Sequence, residues 1–328
     1  MTLKRRTFIA GLGAAAAWPL AARGQSQPIP IVGFLSAFYG GGLPIGSPDV
    51  FRQVLSENGY VEGRTVRFEI RNAEGQFERF PALAAELVQR GVSIIVTASP
   101  PATRAAMAAT STIPIVFGMG EDPVKEGVVE SLNRPGRNIT GYTDFGNVLV
   151  PKRLELMREI APKQAALGLL VNPTNPNAEP DTKEVQAAAD RLGILLHVLN
   201  ASTEAELETA FATAREQRLG ALLVGVDFFF RNRRALIAAL AVRHAVAAMY
   251  DGRYFAAAGG LMSYGTTEVE RARQEAIYVV RILKGTKPID LPVVQASKFE
   301  LVINLNAAKA LGLVIPPDVL SIADEVIE

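Results

Sequence analysis

The sequence predicts an α/β fold made of two similar lobes. Short β-rich runs alternate with longer helical ones, the pattern of parallel sheets flanked by helices. That alternation runs through residues 29–117 and begins again at Arg153. Glycine-containing polar stretches after each series suit crossings from one lobe to the other.

In the first series, Ile29 to Leu35 reads as a buried strand, and Val50 to Asn58 as a helix stopped by Gly59. Thr65 to Arg71 alternates apolar and polar residues, as a half-buried strand does. Phe80 to Gln89 sets Leu83 and Leu87 on one helical face. Val92 to Thr97 is a second buried strand, and Pro100 or Pro101 opens the next helix. Ile113 to Phe117 is a fourth strand. The second series places helices at 153–160, 179–192, 205–217 and 233–243, with strands at 166–171, 194–199, 221–226 and 246–250. Residues 138–147 read as the first crossing, and Gly259 to Gly265 as the second. A helix over 267–284 follows. The proline-bearing tail, with Pro288, Pro292, Pro316 and Pro317, reads as irregular and crosses once more.

The opening segment stands apart from this scheme. Lys4, Arg5 and Arg6 precede an apolar Ala/Gly-rich run, and Ala22-Arg23-Gly24 puts small residues at a cut site, the features of an export leader. The Arg5-Arg6 pair followed by Thr7-Phe8 reads as the twin-arginine type. Residues 1–24 are therefore expected to be cleaved, leaving a protein that works in the periplasm. Gly11-Leu12-Gly13-Ala14 has no strand before it, so it is not a nucleotide fingerprint.

Composition narrows the function. Four of the 34 Lys/Arg and none of the 33 Asp/Glu lie in the leader, so the remainder is slightly acidic and argues against nucleic acid. The chain has no cysteine, which removes disulfides, thiolate metal sites and a cysteine nucleophile. Of two histidines, His197 lies in a strand-like apolar run and His244 closes a helix, where a cation suits the dipole. There is no Gly-x-Ser-x-Gly elbow, no GxxxxGK[ST] loop and no HExxH. No catalytic or cofactor signature is present, and none is expected.

Ligands of parallel α/β sheets bind beyond the carboxyl ends of the strands. Those positions hold Ser36, then Thr97 and Ser99, then Glu121 and Asp122, in the first series. In the second they hold Asn172, then Asp227 and Phe228, then Tyr250. Ser99 and Thr103 open a helix, where free N–H groups and the dipole favour a carboxylate. Asp122 or Asp227 would pair with an ammonium group, and Tyr142, Phe228, Tyr250 and Tyr264 would enclose an apolar part. Plainer roles compete: Ser99 and Asp227 suit helix caps, Asn172-Pro173 suits a turn, and Phe228 to Phe230 suits a core.

Several blocks carry a family resemblance. Gly59-Tyr60-Val61-Glu62-Gly63, Phe80-Pro81-Ala82-Leu83, Thr112-Ile113-Pro114-Ile115-Val116-Phe117 and Asp122-Pro123-Val124-Lys125 form its first half. Ser131-Leu132-Asn133-Arg134-Pro135-Gly136, Leu170-Val171-Asn172-Pro173-Thr174-Asn175-Pro176, Ala258-Gly259-Gly260-Leu261-Met262-Ser263-Tyr264-Gly265 and Lys298-Phe299-Glu300-Leu301-Val302-Ile303-Asn304 continue it. In this order the chain resembles the ABC transporter substrate-binding family of the tryptophan/tyrosine-binding type. The resemblance implies a type I periplasmic binding protein fold: two Rossmann-like lobes joined by a three-crossing hinge, with the ligand between them. The expected lobes are residues 25–140 plus about 261–287, and 141–260 plus about 288–328.

The resemblance also implies an amino acid or related organic acid as ligand, aromatic in the first instance. A membrane permease is the implied partner, and the protein is expected to be a monomer. Ser36, Thr97, Ser99 and Thr103 would hold the carboxylate; Asp122, Asn172 and Asp227 would hold the amino end. Phe38-Tyr39-Gly40-Gly41-Gly42, where relatives vary, would reshape the pocket. A binding protein that serves a membrane sensor and an exported enzyme are the rival expectations. The leader and the lack of a DNA-binding headpiece set aside a transcription regulator.

Overall fold

The computed structural model describes residues 28–37, 43–44, 46–144, 146–161 and 165–328. The expected leader and the Phe38–Gly42 loop lie outside the described residues. In the first half, strands β1 (Ile31–Ser36), β2 (Arg67–Asn72), β3 (Ile94–Thr97), β4 (Ile115–Met119) and β5 (Ile139–Thr143) alternate with helices α1 (Pro48–Glu57), α2 (Phe80–Gln89) and α3 (Pro100–Ala109). The second half runs α4 (Val150–Ile160), β6 (Leu167–Val171), α5 (Ala178–Arg191), β7 (Leu196–Asn200), α6 (Glu204–Glu216) and β8 (Ala221–Val224). It continues with α7 (Phe228–Asn232), α8 (Arg234–Arg243), β9 (Ala248–Tyr250), α9 (Arg253–Ala256) and β10 (Met262–Thr266). Helix α10 (Glu268–Leu283), β11 (Val294–Gln295), β12 (Phe299–Asn304), α11 (Leu305–Ala310), α12 (Pro317–Ser321) and β13 (Glu325–Ile327) complete the chain.

Two sheets result. The first has order β11-β5-β4-β3-β1-β2 and is parallel throughout. The second has order β13-β12-β10-β9-β8-β6-β7 and is parallel except where β12 meets β10. Central strands are buried along their length, as helices on both faces require. Each sheet has an apolar cluster on either face. In the first lobe one joins α2 and α3 to the sheet, and the other joins α1 and α10. The second lobe repeats this with α4, α5, α11 and α12 on one face and α6, α8 and α9 on the other. No described helix is long and apolar enough to cross a membrane.

Three differences from the sequence reading matter for the site. Residues 139–143 were expected within the first crossing, yet they form β5, buried throughout. Thr140 and Thr143 hide the strand from a hydropathy reading, but their hydroxyls donate to the Leu291 and Glu121 carbonyls at 2.7 and 3.0 Å. Gly141 sits so close to Phe117 that a Cβ there would meet its carbonyl oxygen. Residues 262–265, expected in the second crossing, lie in β10 of the second sheet, so the expected assignment of 261–266 to the first lobe differs from sheet membership. The tail is regular, not irregular. Its prolines fall between elements or open helical turns, as Pro317 opens α12, while Val294–Gln295 adds to the first sheet and the apolar 299–304 run adds to the second. The chain thus changes sheet after β5, after β10 and between β11 and β12.

Candidate functional site

The ends of β3 and β4 in one lobe face the ends of β6, β8 and β9 in the other. Between them is a cavity of about 120 Å³, lined from the first lobe by Phe77, Ser99 and Glu121, and from the second by Asn175, Asp227, Phe228, Asp251 and Tyr254. Asp144, Thr266 and Arg271 close it on the hinge side. A second, apolar pocket of about 50 Å³ opens beside it within the second lobe. Val150, Leu169, Val171, Val185, Leu223 and Phe230 wall that pocket, and Arg153, Asn175, Asp181, Val226 and Asp227 line both spaces.

Eleven residues were expected at the site, and the structure divides them. Ser99, Asp227 and Phe228 line the interlobe cavity, and Asn172 lines the side pocket. Thr97 and Thr103 stand behind Ser99: their hydroxyls bond each other at 2.7 Å, and Thr103 Oγ1 donates to the Ser99 carbonyl at 2.8 Å. They shape the loop and do not line the cavity. Ser36 is buried in β1 and does not line it either.

Asp122 turns back on its own chain, its carboxylate accepting the Val124 N–H at 2.9 Å. The acid that lines the cavity is its neighbour Glu121, because β4 runs two residues past the expected strand end. The three tyrosines are corrected as well. Tyr142 is buried within β5, Tyr250 stacks on Phe255 with centroids 4.4 Å apart, and Tyr264 lies against Phe299. None of them lines either space. The aromatic that does is Tyr254, on α9, a helix the sequence reading did not contain.

Asp227 is the organiser of the second-lobe wall. It caps α7 through the Phe229 N–H at 2.7 Å and accepts from Asn172 Nδ2 at 3.2 Å and Asn175 Nδ2 at 2.7 Å. Burial pushes its carboxyl pKa up, and these donors oppose that shift. The aromatic triplet after it splits by direction: Phe229 and Phe230 enter the second-lobe core, while Phe228 packs against the first-lobe cluster. The triplet is thus divided between lobe core and cavity lining.

The dipole at the α3 N-terminus points to the cavity with few donors. Prolines at 100 and 101 have no N–H, and the Thr103 N–H is taken by the Ser99 carbonyl. An anion there would meet mainly the Ser99 hydroxyl and the Ala102 N–H.

Charged groups tie the lobes together. Asn177, at the start of α5, donates to Glu121 Oε1 at 2.6 Å across the cleft. Arg231 of α7 lies 4.4 Å over the Tyr254 ring and pairs with Glu268 at the start of α10. At the rim Lys125 meets Glu184 at 3.9 Å. Asp144, just past β5, accepts from Arg271 of α10 and from Thr266 of β10, tying two crossings. Burial pushes the Glu121 carboxyl up, with the Asn177 hydrogen bond working against it. Neither histidine lines the cleft: His197 meets Gln217, and His244 meets Glu208.

Comparison with known proteins gives a consistent answer. The sequence profile described as ABC transporter substrate binding protein matches residues 48–327. A tyrosine-binding protein of Clostridioides difficile is 24% identical over 263 residues, 80% of this chain and 75% of that protein. Among solved structures, a conserved domain protein from Vibrio cholerae is 28% identical with a TM-score of 0.80, covering 91% of this chain and 100% of that one. An ABC domain from Streptococcus pneumonia in complex with L-Trp is 23% identical with a TM-score of 0.77, covering 92% and 100%.

Proposed function

Because this chain belongs to the ABC transporter substrate binding protein family, and is a binding protein rather than an enzyme, we propose that it captures an amino acid between its lobes for import, an aromatic one in the first instance. The observation that carries this reading is the composition of the interlobe wall. Acids (Glu121, Asp227, Asp251) and arginines (Arg153, Arg231, Arg271) stand beside the apolar and aromatic surfaces of Phe77, Phe228 and Tyr254. A zwitterion with an apolar body matches charges of both signs set against rings. The names of two similar proteins, one tyrosine-binding and one in complex with L-Trp, support the aromatic choice.

Capture works by lobe closure. The ligand stabilises the closed arrangement only through contacts it makes better there than in an open one. The closed surface is then presented to a membrane permease. The leader over 1–24 directs export to the periplasm and is removed near Gly24, and the protein works as a monomer.

The test is a thermal-shift screen of unfolded and refolded, ligand-stripped protein against the amino acids. A ligand at a hundredfold excess over Kd adds about 2.7 kcal/mol to the native state. L-tryptophan, L-tyrosine or L-phenylalanine should raise Tm by several degrees. A shift with aliphatic amino acids alone would overturn the aromatic assignment, and no shift with any amino acid would overturn the ligand class.

A further inference from the structure

Three arginines line the interlobe cavity, and two are neutralised. Arg231 pairs with Glu268, and Arg271 pairs with Asp144. Arg153 differs. It sits in the first turn of α4, 4% exposed, with no carboxylate within 4 Å among the described residues. Its Nε donates to the Tyr264 carbonyl at 2.7 Å and its Nη1 to the Gly146 carbonyl at 3.4 Å, both neutral acceptors at lobe crossings. Its Nη2 makes no hydrogen bond among the described residues. Burial acts against the charged form of this guanidinium; the charge of Asp251 favours it from a distance.

An unpaired buried cation is among the costliest arrangements in a protein, and such groups are ordinarily matched by an anion. Arg153 also lines both the interlobe cavity and the apolar side pocket. We propose that Arg153 is the anchor for the ligand's carboxylate, holding it at the mouth of the side pocket. This inference rests on the reading of the cleft as an amino-acid site, and it moves the carboxylate away from the α3 N-terminus. The planar guanidinium, with Nη2 unused, suits a carboxylate's two oxygens. The walls beside it are Val150, Leu169, Val171 and Leu223, so the anion belongs to a molecule with an apolar body adjoining its carboxylate. The side pocket, at about 50 Å³, is less than half the size of the interlobe cavity, at about 120 Å³. The larger apolar part of the ligand is therefore assigned to the interlobe cavity, beside Phe77, Phe228 and Tyr254.

The test separates a carboxylate contact from a purely structural tie between crossings. Wild type, Arg153→Gln and Arg153→Lys are titrated with L-tryptophan and with tryptamine, which lacks the carboxylate. Arg153→Gln should weaken L-tryptophan binding by about 100-fold or more, while tryptamine affinity changes less than about threefold. Arg153→Lys, which keeps the charge and loses the fork, should fall between the two. Equal losses for both compounds would assign Arg153 to structure and overturn the proposal. Should Arg153→Gln not fold, the Arg153→Lys comparison carries the same discrimination.

If wild type binds neither compound, the aromatic reading fails while Arg153 is still testable. Sodium propionate and sodium benzoate are then compared with sodium chloride at equal ionic strength. A Tm rise specific to the carboxylates in wild type, and absent in Arg153→Gln, supports the anchor. No carboxylate-specific rise in wild type overturns it.

Discussion

Truncating Phe228 tests whether closure, and not the lobe interiors, holds the ligand. Phe228 leaves the second lobe at the start of α7 and packs half-buried against the first-lobe cluster. A fully buried phenylalanine removes about 150–250 Å² from water. Half of that, at about 25 cal/mol per Å², is about 2 kcal/mol. That energy exists only when the lobes are together, so it belongs to the closed state. Phe228→Ala should therefore lower the population of the binding-competent state and weaken apparent affinity by up to about 30-fold. The Tm of the ligand-free protein should hardly move. Calorimetric titration with L-tryptophan, together with thermal unfolding without ligand, reads both quantities. Unchanged affinity would refute the coupling between closure and capture. A large fall in ligand-free Tm would show that Phe228 supports its own lobe instead.

Other predictions follow from the same geometry. Asp122→Ala should leave ligand affinity unchanged, because that carboxylate is spent on its own turn; calorimetric titration checks it. Asp227→Ala should lower stability by about 1–3 kcal/mol through loss of a cap and of the Asn172 and Asn175 contacts, and should weaken binding as well. Glu275, buried in α10 against Gly118, has its carboxyl pushed up to about 7 by burial, with Arg271 pulling the other way. Between its ordinary value of 4.5 and about 7 the native state holds a proton that the unfolded chain has released, so stability falls as pH rises through that window. Glu275→Gln should remove that slope and raise stability at pH 8 by about 3 kcal/mol, as denaturant unfolding at several pH values would register.

The doubly wound architecture was legible because apolar runs and helix stops recur at regular intervals. What escaped the reading did so for physical reasons. Strand β5 is written Ile-Thr-Gly-Tyr-Thr and β10 Met-Ser-Tyr-Gly-Thr, sequences whose polarity suggests a surface. In β5 the threonine hydroxyls are satisfied by backbone carbonyls, so polarity and burial coexist. Missing those strands shifted the expected lobe boundaries by a few residues.

At the cavity, strand ends pointed to the loops that line it, but only Ser99, Asp227 and Phe228 among the expected side chains line the interlobe space. Glu121 and Asp122 are adjacent acids, and only the true end of β4 decides which one faces the cavity. Tyr142, Tyr250 and Tyr264 lie on strands where alternation sends the side chain away from it. Arg153 left no signal, since an arginine in a helix's first turn ordinarily faces water. Its burial depends on both crossings converging on it, which is a tertiary fact. Phe228 was better placed to be found: three consecutive aromatics on a short helix cannot share one core.

Approach of the lobes on ligand binding is directly measurable because the chain has no cysteine of its own. Lys125 and Glu184 face each other across the rim at 3.9 Å, an exposed pair of little energetic weight. Pyrene attached to a Lys125→Cys/Glu184→Cys variant reports their proximity by excimer emission. Ligand-stripped protein should show weak excimer emission, with a saturable rise on adding L-tryptophan or L-tyrosine. Binding of either amino acid with no change in excimer emission would contradict capture by closure.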